Sequence, residues 1–174
     1  MKVHTRVIGI DPGSRITGYG ILDTDGFRHQ HVSSGHLAIS GENLADKLGL
    51  IFLQVSEVIR EWQPQVMAIE QVFMSRNADS ALKLGQARGA AICAAVQANI
   101  PVGEYTPRAI KKAVVGSGSA DKQQIQKMMK LLLDLDHVPQ SDAADALAIA
   151  MCHANHLHVQ SGGVVRGIRR GRWV

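Results

Sequence analysis

A short apolar run near the amino terminus ends on a carboxylate, and this feature constrains the fold more than any other. Residues 6–13 read RVIGIDPG, and the three β-branched residues of the run strongly favour a β-strand. Asp11 closes the run, and the Pro-Gly pair after it ends the strand, because proline lacks an amide donor and glycine permits a tight turn. The sequence therefore predicts a buried central strand with a carboxylate at its tip, where a charge is costly unless a cation pairs with it. A turn aspartate with no further role is the simpler alternative.

The length and composition of the chain predict one globular α/β domain. It has 174 residues, of which 45% are hydrophobic and 20% are charged, and this composition is sufficient for a core. No apolar run reaches the roughly 18 residues that a membrane span requires, so we expect a cytoplasmic protein with no membrane partner. Cys93 and Cys152 belong to no CxxC motif, and we expect both to be small buried side chains in a reducing compartment.

Positive charge is concentrated in two segments, although the net charge of the whole chain is only +4. Residues 108–130 contain six basic residues and one acid, and residues 159–174 contain four arginines and no acid. The rest of the chain therefore has a surplus of carboxylates. Basic segments of this kind suit a bound polyanion, and clustered carboxylates suit a bound cation. A solvated charged face explains either segment when that segment is considered alone.

The hydrophobic pattern predicts five strands and five helices. Short apolar and alternating runs predict strands at residues 6–11, 17–22, 27–39, 66–70 and 101–105. Three- and four-residue spacings predict helices at residues 40–63, 77–99, 107–115, 120–135 and 141–157. The first three strands follow one another closely, which predicts an antiparallel meander, and Ser40 is the predicted N-cap of the first helix.

The second predicted helix contains two glycines four residues apart, Gly85 and Gly89. Glycine inside a helix costs roughly 1 kcal/mol relative to alanine. Two of them on one helix therefore indicate the close approach of another backbone. That backbone belongs either to the sheet of the same domain or to a partner subunit, and the residues alone leave both alternatives open.

Three further carboxylates lie beside apolar segments. Glu70 ends the strand at residues 66–70, as Asp11 ends the first strand. If the two strands are adjacent and parallel, both carboxylates emerge at the same edge of the sheet. Asp142 and Asp145 are three residues apart at the start of the last helix, so they share one face. Stabilisation by the helix dipole is an alternative reason for acids at that position.

Four carboxylates in one place would repel one another and would need divalent cations. Oxygen ligands of this kind suit Mg²⁺, and Mn²⁺ is also expected to serve. Two such ions about 4 Å apart are a common arrangement for in-line displacement at a phosphodiester. With basic segments to hold phosphates, the residues alone predict a metal-dependent enzyme of phosphate or nucleic-acid chemistry.

Four motifs resemble those of the bacterial RuvC Holliday-junction resolvases. They are GIDPGSRITGYG at residues 9–20, AIEQVF at 68–73, NADSALKLGQARG at 77–89 and DAADALA at 142–148. The resemblance runs in order from about residue 6 to residue 155. It implies an RNase H-like fold, an α/β arrangement with a five-stranded mixed sheet flanked by helices. We expect this nuclease domain to occupy residues 1–158 and a basic, disordered tail to occupy residues 159–174.

The resemblance also implies a function and a set of functional residues. It implies a homodimer that makes paired symmetric nicks in four-way DNA junctions, leaves a 5′-phosphate and a 3′-hydroxyl, and works with the RuvA–RuvB branch-migration complex. The implied catalytic carboxylates and metal ligands are Asp11, Glu70, Asp142 and Asp145, with two Mg²⁺ ions per active site. Lys122 is expected to stabilise the phosphate charge. The implied DNA contacts are Phe73, Arg76, Lys111, Lys112 and Lys122, and the implied dimer interface contains Gly85 and Gly89.

Two other classes of function fit parts of the sequence. Residues 8–13 also suit the actin-type ATP folds, but those folds need two lobes and a second phosphate loop, for which this chain is too short. A junction-binding protein without catalysis is the other alternative, and the four intact carboxylates argue against it.

Overall fold

A five-stranded mixed sheet forms the centre of the molecule in a computed structural model that describes residues 4–72 and 78–161. The strands are β1 Thr5–Asp11, β2 Ile16–Thr24, β3 His29–Ala38, β4 Val66–Glu70 and β5 Val102–Tyr105. Their order in the sheet is β3-β2-β1-β4-β5. β1, β2 and β3 pair antiparallel, as the predicted meander requires, whereas β4 is parallel to β1 and β5 is parallel to β4.

Five helices cover the two faces of this sheet. They are α1 Leu44–Trp62, α2 Ala78–Gln97, α3 Pro107–Val115, α4 Lys122–Leu132 and α5 Ser141–Ser161. Alternate residues of the central strands point to opposite faces, so Ile8 and Ile10 pack towards α1 and α2, whereas Val7 packs towards α3, α4 and α5. The side chains of all three residues are fully buried. The predicted central, doubly covered strand is therefore confirmed.

Glycines in β1 and β2 allow α5 to lie directly on the sheet. A Cβ atom added to Gly18 would lie 2.2 Å from the backbone oxygen of Asp142, and one added to Gly9 would lie 2.1 Å from that of Ala146. No side chain fits in either space, because both distances are far below van der Waals contact. The glycines therefore bring the first turn of α5, with its two aspartates, down onto the strand ends.

Several predicted element boundaries differ from those observed. The N-cap of α1 is Asn43 rather than Ser40, because the side chain of Asn43 accepts a hydrogen bond from the Asp46 amide at 2.9 Å. The last helix continues to Ser161, four residues beyond its predicted end. Residues 162–174, which contain the four arginines of the predicted tail, lie outside the described residues.

The exposure of residues on α2 contradicts one prediction, for Cys93, and excludes one of the two explanations of Gly85 and Gly89. Cys152 is buried as expected, and burial raises the pKa of its thiol to about 12, but Cys93 is exposed. The reason is that α2 buries only the side that carries Ala87, Ala91, Ala94 and Ala95. Among the described residues, no atom outside the local helix backbone lies within 4 Å of a Cβ added to Gly85 or Gly89. The sheet of the same domain therefore does not explain these two glycines.

Within residues 4–72 and 78–161, no helix combines the length and the apolar composition that crossing a bilayer requires.

Candidate active site

Asp11 and Glu70 emerge side by side at one edge of the sheet. Ile10 of β1 pairs with Ile69 of β4 in parallel register, so the two carboxylates that follow occupy neighbouring strand ends. The expectation that adjacent parallel strands would bring them together is therefore confirmed. Asp11 comes directly before a Pro-Gly turn, and Glu70 is the last residue of its strand, so both side chains lie where the sheet opens towards solvent.

The first turn of α5 adds two more carboxylates to this edge. Asp142 and Asp145 follow the start of the helix at Ser141, as predicted. Asp142 lies over β2, because its backbone oxygen occupies the space that Gly18 leaves open. Asp145 faces the cavity that Asp11 and Glu70 also line. The structure thus brings together carboxylates from two strands and one helix that are far apart in the sequence.

Electrostatic repulsion among these carboxylates is visible in the pKa of Asp11. Burial, followed by repulsion from Asp145, Glu70 and Asp142, raises the pKa of Asp11 from 3.8 to about 7, and Lys122 opposes the shift. Burial also raises the pKa of Glu70, with a further contribution from Asp145. The site therefore holds more negative charge than its own cations neutralise.

Two lysines supply the positive charge that the site does contain. Lys122 Nζ lies 3.6 Å from an Asp145 carboxylate oxygen, and this proximity partly offsets the rise that burial causes in the pKa of Asp145. Lys111 lowers the pKa of Glu70. The Lys122 side chain is 75% exposed, so most of it is available to a further anion. Both lysines were predicted site residues, and the structure places both at the carboxylates.

A cavity of about 300 Å³ lies between these groups. Asp11, Glu70 and Asp145 line it together with Lys111, Asp121 and Lys122, and its apolar wall comes from Ile110, Ile125 and Ile149. Lys112 is exposed on α3 and does not line this cavity. Phe73 and Arg76, which were predicted DNA contacts, lie outside the described residues.

The carboxylates of this site suit a hard divalent cation that keeps water or phosphate oxygens among its ligands. Among the residues that the structure describes, no three Asp, Glu, His or Cys side chains form a ready-made metal cluster. Mg²⁺ is commonly held by one or two carboxylates, with water and substrate phosphates completing its shell. Buried carboxylates with raised pKa values fit that role, because a cation would neutralise charge that the protein leaves uncompensated.

Sequence reasoning missed one residue next to the site. Arg88 on α2 donates from Nε to the backbone oxygen of Glu70 at 3.0 Å, and its guanidinium also pairs with Glu104. Nothing in the local pattern of α2 signals this contact, because it joins residues 18 positions apart in the chain. The only available sign was an arginine within an otherwise small and apolar stretch of the helix.

Known proteins that are similar to the chain show the family to which it belongs. A family model described as crossover junction endodeoxyribonuclease RuvC matches residues 7–153. The chain belongs to the RuvC family. The matched segment contains all four carboxylates and both lysines of the site.

Individual members of the RuvC family match nearly the whole chain. The crossover junction endodeoxyribonuclease RuvC of Tolumonas auensis is 53% identical over 170 residues, which are 97% of this chain and 98% of that protein. The RuvC of Ectopseudomonas mendocina is 58% identical over 152 residues, which are 87% of each. The structure of Thermus thermophilus RuvC in complex with a Holliday junction substrate is 34% identical, with a TM-score of 0.83, and the match covers 91% of this chain and 98% of that one. The predicted resolvase fold is therefore confirmed.

Proposed function

We propose that this member of the RuvC family is a metal-dependent endonuclease that resolves four-way DNA junctions by paired symmetric nicks during recombination and repair. The observation that carries the proposal is the carboxylate cluster at the ends of β1, β4 and α5, in a chain that the RuvC family model matches from residue 7 to residue 153. A binding module would have no use for a cluster that costs stability in this way.

Asp11, Glu70, Asp142 and Asp145 would hold the divalent cations, two per site, with Mg²⁺ as the principal metal and Mn²⁺ as a substitute. When bound, such ions lower the pKa of the attacking water and stabilise the leaving oxygen. The raised pKa of Asp11 means that this carboxylate must lose a proton before it binds a cation fully. Metal binding, and with it the activity at limiting Mg²⁺, should therefore rise with pH as Asp11 ionises.

The lysines act on the phosphate rather than on the water. Lys122 is mostly exposed while its Nζ remains near Asp145, so a phosphate that enters the cavity can accept a hydrogen bond from it. Donors aimed at developing negative charge stabilise the transition state of phosphate transfer. Breakage of the bond to the 3′ oxygen leaves a 5′-phosphate and a 3′-hydroxyl.

The basic residues of α3 and α4 would form the DNA-binding surface around this cavity. Lys111 and Lys122 line the cavity, and Lys112 is exposed on the same helix as Lys111. We place Phe73 and Arg76 on this surface as well, from the sequence. The structure of Thermus thermophilus RuvC with a Holliday junction supports junction DNA as the ligand.

We further propose that the protein acts as a homodimer through α2. Open space beside Gly85 and Gly89 supports this assignment, because glycines with no neighbour among residues 4–72 and 78–161 beyond their own helix backbone can accommodate a second backbone. Paired nicks require two active sites, which a dimer supplies. Cooperation with the RuvA–RuvB complex and a cytoplasmic location complete the proposal.

The decisive experiment compares a labelled synthetic four-way junction with a linear duplex of the same sequence. Each DNA is incubated with the protein in Mg²⁺ or in EDTA and is analysed on a denaturing gel. We expect symmetric nicks in the junction alone and only with Mg²⁺. Cutting of the duplex at the same rate would contradict junction specificity, whereas a junction-specific gel shift without cutting under any metal condition would indicate a binding protein.

A further inference from the structure

One arginine joins three elements at the edge of the active site. Arg88 lies on α2, and its Nε donates to the backbone oxygen of Glu70, the last residue of β4, at 3.0 Å. The terminal nitrogen of the same guanidinium pairs with the carboxylate of Glu104 on β5. The Arg88 side chain is 19% exposed and that of Glu104 is 47% exposed, so the bond to the Glu70 backbone is better shielded from water than the ion pair.

The end of β4 is a place where the backbone needs restraint. Glu70 is repelled by Asp145, and burial also disfavours its charged form. The ladder of β4 with β5 ends here, with the Gln71 amide donating to the backbone oxygen of Tyr105 at 2.8 Å. The Arg88 contact is therefore a second anchor for this strand end, in addition to the ladder.

Arg88 acts on the backbone of Glu70 rather than on its carboxylate. Lys111 and Lys122 are the cations that lower the pKa of the Glu70 side chain. A planar guanidinium can donate in two directions at once, whereas a lysine ammonium behaves as a compact point charge. Because the Arg88 guanidinium donates to Glu70 on β4 and to Glu104 on β5, it links both strands to one position on α2.

We propose that Arg88 is a positioning residue for the nuclease reaction, one that fixes the Glu70 carboxylate and links its position to α2. This inference rests on the proposed function, in which Glu70 binds a metal ion and α2 forms the dimer interface. Substitution of Arg88 then slows the chemical step while junction affinity remains intact, because the residue does not line the active-site cavity. Arg88 does line, together with Gly85, a separate cavity of about 760 Å³ beside α2, so the oligomeric state of each variant is measured with its rate. We expect dimerisation to persist, because the guanidinium is bonded to Glu70 and Glu104 and the Arg88 side chain is only 19% exposed.

The test compares Arg88→Ala, Arg88→Lys and Glu104→Gln with a matched control, Lys83→Ala. Lys83 is a cation on the same helix, and it pairs with Asp79 on the exposed surface. Three quantities are measured for each protein: the single-turnover nicking rate at saturating protein, the junction affinity in EDTA, and the amide hydrogen exchange of residues 66–72. Size-exclusion chromatography with light scattering reports the oligomeric state.

We expect a graded response. Arg88→Ala should slow nicking by about 10- to 100-fold, because small displacements of catalytic groups have effects of that order. It should also accelerate exchange at residues 66–72, while junction affinity changes by less than about threefold, equivalent to under 0.7 kcal/mol. Arg88→Lys should be intermediate, and Glu104→Gln should have a small effect, because the Arg88–Glu70 bond survives. Lys83→Ala should resemble wild type in every measurement.

Three results would overturn the inference. The first is a wild-type nicking rate in Arg88→Ala, and the second is a loss of activity that is explained by a monomeric protein or by lost junction binding. The third is a Glu104→Gln defect as large as that of Arg88→Ala, which would assign the role to the ion pair. Failure of wild type to nick junctions would refute the proposed function instead, and the hydrogen-exchange comparison would still test the anchor on its own.

Discussion

The start and the middle of α5 differ in how their polar groups are partnered. At its start, Asp145 lies beside Asp11 and Glu70, and burial and repulsion raise the pKa of all three carboxyl groups. About two turns beyond Asp145, His153 is more fully buried, at 8% exposure, but its Nδ1 is hydrogen-bonded to the Tyr105 hydroxyl at 2.7 Å. One helix therefore carries an under-neutralised cluster at its start and a paired polar contact in its middle.

The polar pair and the carboxylate cluster have opposite effects on the stability of the fold. A buried polar pair with good geometry stabilises a fold modestly and specifies its packing. A buried carboxylate cluster with too few cations costs stability, and such groups are concentrated where a ligand supplies the missing charge. The start of α5, rather than its middle, is therefore the part of the helix that needs a ligand.

The start and the middle of α5 also predict opposite pH dependences of folding. The pKa of Asp11 rises from 3.8 to about 7 on folding, so its contribution to stability is complete below pH 3.8 and is lost as the pH rises through 7. Burial, with a contribution from His156, lowers the pKa of His153 from 6.5 to about 4, so its contribution is complete above pH 6.5 and is lost as the pH falls through 4.

The largest effect is expected for Asp11→Asn. Loss of this carboxylate should remove several kcal/mol of transition-state stabilisation, which corresponds to a fall of about 10³-fold or more in the nicking rate. The same change should stabilise the metal-free protein by roughly 1–3 kcal/mol at pH 8, and by less at pH 5, where folded Asp11 is already protonated. Junction nicking and urea unfolding in EDTA at both pH values measure the two effects. A variant that nicks like wild type would refute the assignment of this end of α5.

A smaller catalytic loss is expected for Lys122→Met. Its rate should fall by about 10²-fold, because a donor aimed at the phosphate is removed. The acidic limb of the pH–rate profile should move to higher pH, since Lys122 lowers the pKa of Asp11, Glu70 and Asp145. Lys127→Met, on the exposed side of the same helix, is the control, and its profile should keep the wild-type limb. If the acidic limb of the pH–rate profile of Lys122→Met were unshifted, Lys122 would have no part in the electrostatics of the site.

Gly18→Ala tests how α5 reaches the sheet. Its Cβ would meet the backbone of Asp142 at 2.2 Å, so the first turn of α5 must move away, at a cost of about 1–3 kcal/mol. Nicking should slow as well, because both aspartates move with that turn. Gly49→Ala is the counterpart, since Gly49 lies in α1 with open space beside it, and alanine there should stabilise the helix by roughly 0.5–1 kcal/mol. Urea unfolding of the two variants should give changes of opposite sign.

The smallest effect on activity is expected at the paired contact in the middle of α5. Tyr105→Phe removes the hydroxyl and leaves His153 without that partner, at a cost of about 1–2 kcal/mol in the free energy of unfolding. The backbone of Tyr105, which accepts from the Gln71 amide, is unchanged. The nicking rate of the folded protein should therefore equal that of wild type. A slower rate at unchanged stability would show that the start and the middle of α5 are not separate in function.

Much of the fold followed from local sequence pattern. β4 and α3 begin and end where the pattern predicted, because an apolar run bounded by turn residues and a Thr-Pro helix start are local signals. The caps were less predictable. Ser40 and Asn43 are both suitable N-cap residues, and only the observed backbone path places Asn43 within reach of the Asp46 amide.

The contacts that depend on distant residues could not be predicted in this way. Alanines occur on nearly all faces of the helix that contains Cys93, so the hydrophobic pattern of that helix does not show which face is exposed. The glycines of β1 and β2 signal a close approach only once α5 is known to cross them. Arg88 likewise has a role only when the end of β4 lies beneath α2.

The sequence by itself determined which segments form strands and helices. It also placed a carboxylate at the end of two strands and on the first turn of a helix. Both results are local consequences of periodicity and turn chemistry. Only the tertiary structure decided that Asp11 titrates near pH 7, since its pKa depends on burial and on Asp145, more than a hundred residues away in the chain. Electrostatic energy depends on distance in space, and the fold alone sets that distance.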